Sequence, residues 1–576
     1  MRKIALFVLS LSALFWTSCG GGGSSAPARL IGCTGCTVKI SISPDTATVG
    51  GGGTAQFTAT VGGDSNSAVT WQVEGIPGGN AAVGTVTTAG LYTAPLAIPA
   101  TGAVTVTAVS QADTSKSASA RVTIVFSTAM LSGQYAFSYT GFEYVNSQSW
   151  VELFFAAGSF TADGRGTITD GIMDRNAFAG VYPNRSLTGT YTVSPDGRAE
   201  ILLTDSDGLS HTIRAVLISS DRAHMIQFDV LSSGKGFIDR QDSNAFNNAA
   251  FAGGYAFQFK GVNDVGLLAL GGRLTADGLG EISAGVFDLN DGTASQQTFT
   301  GSYSVAANGR GTAILDTPLG TVNFAFYMIS PDRANFISVD FVPAYLGPAE
   351  RQTLGSFSNV NLSGDYAFGS SGFSSSGFIL TAGRFTANGG GGIAAGVFDE
   401  NDEGLLEEGV AFTGTYTMGV NGRGTVTLNS ALGTSNYAIY MISPSRAFFV
   451  QLDSFALATG EADAQQGDPF TNSSMAGDYG LSLTGSIRDV VGQFKATGTG
   501  AATGTLDINR WSPPVYTQSP DEAFTANYSI TGNGRGDFTV ADLNGPLSFH
   551  IYMVSKTKAF LIGIDENLTG TAERQF

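Results

Sequence analysis

Catalytic bases and charged side chains are scarce in this chain of 576 residues. Three histidines stand at positions 211, 224 and 550, and charged residues make up 13% of the sequence. Serine and cysteine nucleophiles need a base beside them, yet the histidines occupy unrelated positions and no G-x-S-x-G motif occurs. We therefore predict no catalytic residue. Paired carboxylates for glycoside hydrolysis stay open as an alternative, because acidic residues are plentiful.

Positive charge is also in short supply. Lysine and arginine total 29 against 47 aspartates and glutamates, which gives a net charge of −18. Such a chain repels nucleic acid and anionic lipid surfaces, so neither is an expected partner. Helical periodicity of useful length is missing too, whereas glycine (78), phenylalanine (39) and tyrosine (18) are abundant. This composition fits many short strands joined by tight turns, and the chain is predicted to be all-β.

The three cysteines all lie within the first 36 residues. Two basic residues and the apolar run 4–15, too short to cross a bilayer, precede Cys19. This pattern predicts a secretory signal over residues 1–18. The ending Thr-Ser-Cys19 resembles the lipobox of bacterial lipoproteins, although Trp16 departs from the usual leucine. The resemblance implies a lipid on Cys19 that anchors the chain in the outer membrane or at the cell surface, with periplasmic or secreted release as the alternative.

Residues 19–37 form a predicted flexible tether, because Gly/Ser-rich sequence behaves as random coil. The tether ends in Cys33-Thr-Gly-Cys36, which has neither the βαβ context of a thioredoxin-like motif nor the four ligands of a zinc site. Thiols in an oxidising compartment pair readily, so a disulfide between Cys33 and Cys36 is predicted. A free dithiol and a bond to another chain stay open.

Residues 38–126 alternate apolar and polar side chains in short segments separated by turn-forming clusters. The order of TAQFTATV, VTWQVEG, GLYTAP and AVTVTAVS resembles the bacterial Ig-like domain of the BIG2 type. The resemblance implies a β-sandwich that serves as a spacer or adhesive unit, with Trp71 in its core.

From residue 130 onward the sequence repeats itself. An Asp/Asn-Gly-Arg turn begins at positions 196, 308, 421 and 533, at intervals of 112, 113 and 112 residues. Each unit opens on Gly-x-Tyr and closes on a glutamine; the openers are Gly133/Tyr135, Gly253/Tyr255, Gly364/Tyr366 and Gly477/Tyr479. A fixed period indicates repeated structural units, which we place at residues 130–243, 250–356, 361–470 and 475–576.

An aspartate near the end of each unit stands seven residues after a cation. The four aspartates are Asp229, Asp340, Asp453 and Asp565, and the cations before them are Arg222, Arg333, Arg446 and Lys558. A feature present in every unit is more readily a fold element than a fourfold active site. We expect each aspartate to pair with its cation and to steady a strand end.

Each unit contains eight strand-like segments, and an Asp/Asn-Gly turn between the fourth and fifth is a strong hairpin signal. Sequential hairpins favour a small up-and-down β-barrel, which has no open edges. Propeller-like blades and sandwiches are the alternatives. The phenylalanines Phe324, Phe326, Phe448 and Phe455 are expected to fill the barrel interior, which otherwise has room for one small ligand.

Each unit also carries Asp-x-Asn, which extends to DLNDG at 288–292 and DENDEG at 399–404. Alternating Asp and Asn oxygens suit Ca²⁺, and the candidate ligands are Asp288, Asn290, Asp291, Asp399, Asn401 and Asp402. The alternative is an ordinary turn, because Asx side chains bond to nearby backbone and the closing glutamate of an EF-hand is missing. No other cofactor is expected.

Together these features favour a lipid-anchored, non-catalytic protein of the bacterial envelope whose repeated β modules serve adhesion, binding or scaffolding. Its expected partners are the membrane, through the lipid anchor, and a glycan or another surface protein. Two alternatives stay open: a carbohydrate-binding or carbohydrate-degrading surface protein, and a protein that captures small apolar ligands inside its barrels.

Overall fold

A computed structural model describes residues 37–145, 150–177, 179–264, 266–467, 469–541 and 547–576. The predicted signal segment and Cys19, Cys33 and Cys36 lie outside the described residues. Within them the chain is all-β, as predicted, with 43 strands and no α-helix. Short 3₁₀ turns occur at Thr128–Met130, Ser243–Ala245, Asn248–Ala250, Asn359–Asn361 and Asn472–Ser474.

The N-terminal region consists of small sheets around Trp71, which is buried in a common core. Its strands are β1 (Lys39–Ser43), β2 (Thr46–Gly50), β3 (Thr54–Gln56), β4 (Thr58–Gly62), β5 (Val69–Val73), β6 (Ile76–Pro77), β7 (Gly79–Asn80), β8 (Gly84–Val86), β9 (Leu91–Thr93), β10 (Ala103–Ser110) and β11 (Ser117–Val125). One sheet has the order β2-β11-β10-β5-β6, another the order β3-β9-β8-β7, and β1 pairs with β4.

Each of the four repeats forms eight strands. The first has β12 (Ser132–Val145), β13 (Trp150–Asp163), β14 (Thr167–Ala177), β15 (Gly180–Val193), β16 (Arg198–Asp205), β17 (Ser210–Leu217), β18 (Arg222–Phe228) and β19 (Ser232–Arg240). The second has β20 (Ala252–Asn263), β21 (Gly266–Asp277), β22 (Glu281–Asn290), β23 (Ala294–Val305), β24 (Arg310–Thr317), β25 (Gly320–Ser330), β26 (Arg333–Ser338) and β27 (Ala344–Arg351).

The third has β28 (Ser363–Ser374), β29 (Phe378–Asn388), β30 (Gly392–Asp402), β31 (Leu405–Met418), β32 (Arg423–Ser430), β33 (Gly433–Ser443), β34 (Arg446–Gln451) and β35 (Ala456–Ala464). The fourth has β36 (Ala476–Gly485), β37 (Arg488–Thr497), β38 (Ala501–Ser512), β39 (Val515–Ile530), β40 (Arg535–Ala541), β41 (Leu547–Ser555), β42 (Lys558–Gly563) and β43 (Leu568–Arg574).

Every repeat closes into an eight-stranded antiparallel barrel, because its first strand pairs with its last. In the first barrel, Tyr135 on β12 lies opposite Arg240 on β19. The eight segments expected in the third unit correspond to β28–β35. The barrel prediction is confirmed, and the propeller and sandwich alternatives are wrong.

The turns between the fourth and fifth strands require glycine. Gly309 and Gly422 have φ values of +80° and +84°, a region that side chains with a Cβ rarely enter. A Cβ at either position would also collide with an aromatic ring from the linker before the barrel, Phe246 or Phe357. The repeated Asn-Gly turn therefore closes a hairpin and receives the ring that caps the barrel.

Side chains fill the barrel interiors. Phe324 and Phe326 belong to the core of the second barrel, as expected. One cavity inside the second barrel measures about 80 Å³ and one inside the third about 50 Å³. The expectation is wrong for two residues. Phe448 points outward from β34 and packs between the second and third barrels, and Phe455 is exposed to solvent. Phe449, the neighbour of Phe448, faces the interior instead. Consecutive residues of a strand face opposite sides, so one residue of shift reverses the assignment.

The four barrels pack side by side in a closed ring. Apolar clusters join the first barrel to the second, the second to the third and the third to the fourth. Val216 and Phe228 of the first barrel pack against Val491 of the fourth, which completes the ring. The C-terminal Phe576 stacks 5.1 Å from Phe126, at the boundary between the N-terminal region and the first barrel.

Candidate functional site

The Asp-x-Asn motifs lie at the contacts between barrels. Asp288 of the second barrel accepts hydrogen bonds from Nε and Nη2 of Arg423 in the third, at 2.7 and 2.6 Å. The Tyr440 hydroxyl donates to the same carboxylate. Asp288 is 2% exposed, so this bidentate ion pair is shielded from water. The same triad recurs at two other junctions as Asp174/Arg310/Tyr327 and Asp399/Arg535/Tyr552.

The junction between the fourth and first barrels varies this pattern. Arg198 approaches Asp507 at 3.7 Å, and its guanidinium also contacts Asp521 at 2.5 Å. Val216 lies opposite Arg198 on the neighbouring strand, where the other junctions have tyrosine. The closing junction therefore keeps the ion pair and loses the hydroxyl donor.

The asparagine of each motif ties the same junction through its amide. Asn290 Nδ2 donates to the carbonyls of Gln451, Asp453 and Ala456 in the third barrel, at 2.8, 2.9 and 3.2 Å. Asn176, Asn401 and Asn509 donate in the same way to the barrels that they face. Asp-x-Asn is thus an inter-barrel clasp in which the aspartate holds a side chain and the asparagine holds backbone.

This clasp does not fit a calcium ion. The carboxylates and amides at positions 288, 290, 399 and 401 already face arginines and backbone carbonyls. Asp291 accepts a hydrogen bond from Asn263 at 3.1 Å, and Asp402 accepts one from Ser374 at 2.5 Å. Across the part of the chain that the structure describes, no group of three or more His, Cys, Asp or Glu could hold a metal ion. The geometry lends the calcium prediction no support.

The repeated aspartates at the end of the seventh strand bond back to the sixth strand. Asp340 accepts from the backbone N and the Nδ2 of Asn323, at 2.6 and 2.9 Å. Asp229, Asp453 and Asp565 accept the equivalent backbone N–H groups of Thr212, Asn436 and Ser548. The expected pairing with the cation seven residues upstream is wrong, because that cation sits at the other end of the strand, about 20 Å away at the usual rise per residue.

The tyrosines of the Gly-x-Tyr openers also hold the sixth and seventh strands in place. Tyr255 donates to the carbonyl of Pro331, in the turn between those strands, at 2.5 Å. Tyr135, Tyr366 and Tyr479 donate to the carbonyls of Ser220, Pro444 and Lys556. The opening glycines Gly133, Gly253, Gly364 and Gly477 have φ between +102° and +118°, so the opener needs a glycine at its first position.

The closing glutamines reach the next barrel. Gln352 Nε2 donates to the carbonyl of Met441 at 2.8 Å, and Gln575 Nε2 donates to that of Leu217 at 2.8 Å. Gln241 and Gln465 make the same bond to Met328 and Met553. Gln575 of the fourth barrel therefore bonds to the first barrel in the way that each other closing glutamine bonds to the barrel after its own.

A network of charged side chains surrounds the axis of the ring. Each barrel supplies a cation from the start of its seventh strand and a carboxylate from its eighth, and the pairs are Arg222/Asp239, Arg333/Glu350, Arg446/Asp463 and Lys558/Glu573. Arg333 lies between Asp239 of the first barrel, at 3.4 Å, and its own Glu350, at 3.9 Å. Arg446 continues the network to Glu350 at 2.8 Å.

The third and fourth barrels complete the network. Glu461, an additional carboxylate on β35, bridges Arg446 at 2.7 Å and Lys558 at 2.6 Å. Arg222 of the first barrel reaches Glu573 of the fourth at 3.3 Å. Each of the four cations therefore bridges two barrels, and the network is cyclic like the ring.

Burial and charge shift the pKa values of this network. Burial alone would raise the pKa of Glu573, but the positive charge of Arg222, aided by His224 and Lys558, lowers it to about 2. His224 is fully buried, and neither ring nitrogen has a hydrogen-bond partner among the described residues. Burial lowers its pKa to about 4, so the imidazole is neutral at pH 7.

A cavity of about 300 Å³ lies where the four barrels meet, next to this network. Its charged lining comprises Lys235 of the first barrel, Lys260 and Arg333 of the second, and Asp489 of the fourth. Its apolar lining includes Phe142, Leu153, Leu268, Leu346, Phe373 and Leu457. All four barrels contribute to the lining of this cavity, and it is the candidate functional site.

Within the part of the chain that the structure describes, neither lysine of the cavity has an ion-pair partner. Lys260 Nζ donates to Ser371 Oγ at 2.5 Å, while Asp489 accepts from Ser233 and Thr484, each at 2.6 Å. Among the described residues, no carboxylate oxygen lies within 4.0 Å of either lysine Nζ. Burial lowers the pKa of both lysines to about 8, and burial raises the pKa of Asp489.

Sequence reasoning missed this cavity. Its two lysines break the repeat, because Leu346 and Thr459 stand at the position of Lys235, and Thr140, Ser371 and Thr484 at that of Lys260. The sequence did contain a signal for this cavity, because each lysine stands at a position where the other units have small or apolar residues. The lysines of the cavity each occur in one unit only, so the features that recur in every unit do not reveal them.

No family model matches this chain, and no curated protein matches it. Within the described residues there is no helix with the length and hydrophobicity of a membrane span.

Proposed function

We propose that this protein is a non-catalytic display scaffold of the bacterial cell envelope. A lipid on Cys19 anchors it, the residues up to 37 act as a tether, and residues 38–126 form an Ig-like stalk below the ring. Cys33 and Cys36 close a small loop at the base of that stalk. The proposed binding partner of the scaffold is a glycan or another surface protein.

The use of the repeated residues supports this proposal. Asp-x-Asn, the Arg of the turn, the closing glutamine and the axial cations all bond neighbouring barrels to one another. The tyrosine openers and terminal aspartates hold strands of their own barrel. The features that recur in all four units thus hold the assembly together. A scaffold needs such contacts, whereas four equivalent active sites would not explain them.

Ligand capture inside the barrels is not adopted, because interior cavities of about 80 and 50 Å³ are small against the several hundred Å³ of typical ligand sites. The alternative of a carbohydrate-binding or carbohydrate-degrading protein is tested directly. Purified mature protein is expected to turn over no polysaccharide. A glycan array distinguishes the two proposed partners, because binding identifies a glycan and a blank array leaves a surface protein. Turnover that a single carboxylate substitution abolishes would overturn the non-catalytic proposal.

The anchor has its own test. Full-length chain and a Cys19→Ser variant are expressed in a bacterium with two membranes, and the fractions are compared. We expect a lipidated N-terminal cysteine in the membrane fraction and release of the variant. An unlipidated N-terminus on the wild-type chain would refute the anchor, and two free thiols at Cys33 and Cys36 would refute the disulfide.

A further inference from the structure

The charge balance of the central cavity is incomplete. Lys235 and Lys260 both line it, and the positive charge of Lys235 acts on Lys260. Arg333, the third cation of the lining, is paired with Asp239 and Glu350. The one carboxylate of the lining, Asp489, accepts two hydroxyl hydrogen bonds and forms no ion pair with either lysine. The carboxylates of Asp489, Glu461 and Glu573 act on Lys235 from a distance. Among the described residues neither lysine forms an ion pair, so the two ammonium groups share a confined space without a direct counterion.

Removing charged groups from water is costly unless an opposite charge compensates. The fold does not need these lysines, since other barrels place Thr459 and Ser371 at the same positions. Two lysines from different barrels have nevertheless been placed in one cavity of an otherwise acidic protein with a net charge of −18. An anion between them would supply the missing compensation through charge-assisted hydrogen bonds.

The remaining walls determine which kind of anion fits. Phe142 and Phe378, from opposite barrels of the ring, contact each other edge to face at 5.6 Å, and the ring of Phe373 lies 4.6 Å from that of Phe378, tilted by 52°. All three line the cavity. Leu153, Leu268 and Leu457 extend this apolar wall. A bare inorganic anion would leave these walls without contacts, whereas an apolar group would pack against them.

We propose that the central cavity binds a small organic carboxylate, with its carboxyl group between Lys235 and Lys260 and its apolar part against Phe142, Phe373 and Phe378. The volume of about 300 Å³ lies at the lower end of the range for small-molecule sites. It accommodates a ligand of about ten non-hydrogen atoms, since one water occupies about 30 Å³. Ligand binding at this site does not depend on the cellular location of the protein.

Benzoate is a suitable probe, with benzamide as its neutral isostere. Calorimetric titration of the full chain at pH 7 is expected to show benzoate binding and an affinity for benzamide lower by about tenfold or more. Acetate and inorganic phosphate test the apolar half and are expected to bind more weakly than benzoate. Affinity should fall as the pH rises above about 8, because both amines then lose their protons.

Substitutions that copy other barrels test the two lysines without introducing foreign residues. Lys235→Thr copies Thr459 and Lys260→Ser copies Ser371, and the double variant is expected to lose about tenfold or more in benzoate affinity. Lys495→Thr, at a lysine whose side chain is 69% exposed, is the control and should bind as wild type. Asp489→Asn removes the competing negative charge and should tighten benzoate binding.

Three results would overturn the site: equal affinity for benzoate and benzamide, wild-type affinity in the double lysine variant, or no benzoate binding at millimolar concentration. Tighter binding of phosphate than of benzoate would overturn the assignment to an organic carboxylate. Circular dichroism checks the fold of each variant. If the double variant does not fold, the benzamide comparison and the Asp489→Asn variant decide.

Discussion

Arg423 of the third barrel holds both carboxylate oxygens of Asp288 in the second, at 2.7 and 2.6 Å. The two residues are 135 positions apart, which exceeds one repeat. Each unit therefore carries the aspartate for its successor and the arginine for its predecessor. The sequence repeats because every junction of the ring needs the same two halves of one contact.

Loss of this ion pair should destabilise the ring strongly. Asp288→Ala leaves a shielded guanidinium and the Tyr440 hydroxyl without their partner, which typically costs about 3–5 kcal/mol. Asp291→Ala, three residues away at a partly buried site with one side-chain donor, is the matched control and should cost about 1 kcal/mol or less. Calorimetric melting of both variants measures the difference. Equal shifts would contradict the clasp.

Calcium should not change stability. The candidate ligands at 288–291 and 399–402 are engaged by arginines, a tyrosine hydroxyl, backbone and neighbouring side chains. We expect the same melting temperature in millimolar Ca²⁺ and in EDTA. A higher melting temperature in Ca²⁺ would restore the calcium prediction.

His224 should make the protein sensitive to mild acid. Its pKa is lowered from 6.5 to about 4 by burial, with Glu573 and Asp239 opposing and Arg222 and Lys235 reinforcing the shift. Because the unfolded chain binds the proton first, stability is lost as the pH falls from about 6.5 to about 4. The full loss is on the order of 3 kcal/mol.

The variant His224→Phe isolates this effect, since Phe448 and Phe560 stand at the same position in the third and fourth barrels. Melting temperatures from pH 7 to pH 4 should fall less steeply for the variant than for wild type. Parallel curves would show that His224 does not titrate on unfolding.

Closure of the ring can be tested with two glutamines. Gln352→Ala removes the bond from the second barrel to the third, and Gln575→Ala removes the same bond from the fourth to the first. Each should cost about 1–2 kcal/mol, because two carbonyls lose a donor: those of Asn421 and Met441 for Gln352, and those of Asp196 and Leu217 for Gln575. Melting experiments are expected to give similar shifts. A neutral Gln575→Ala beside a destabilising Gln352→Ala would mean that the ring is open in solution.

Much of the fold was accessible from local sequence. Asn-Gly turns, strand alternation and the fixed period gave eight strands in each of four closed barrels, because hairpin register depends on residues close together in the chain. Phe448 shows where this reasoning fails. Outward residues at the junctions are as apolar as inward ones, so alternation does not tell which face of a strand is the barrel interior.

The candidate site was less accessible. The recurring aspartates were correctly expected to be structural elements of the strand ends, but their partners were misassigned because a strand carries the upstream cation away from them. The pairing of Lys235 with Lys260 in one cavity was not predicted, since each is a single lysine within its own unit. Their meeting depends on how the first two barrels pack.

The sequence by itself determined that the chain is all-β, that it contains four repeats and that each repeat has eight strands. Short-range patterns encode all of these features. Only the tertiary structure decided that the repeats form a ring, that Asp288 bonds to Arg423 rather than to Ca²⁺, and that a lysine-lined cavity lies where the four barrels meet. Those features arise from outward-facing side chains of different units. Their partners lie in another repeat, 135 residues away for Asp288 and Arg423, and no local periodicity specifies them.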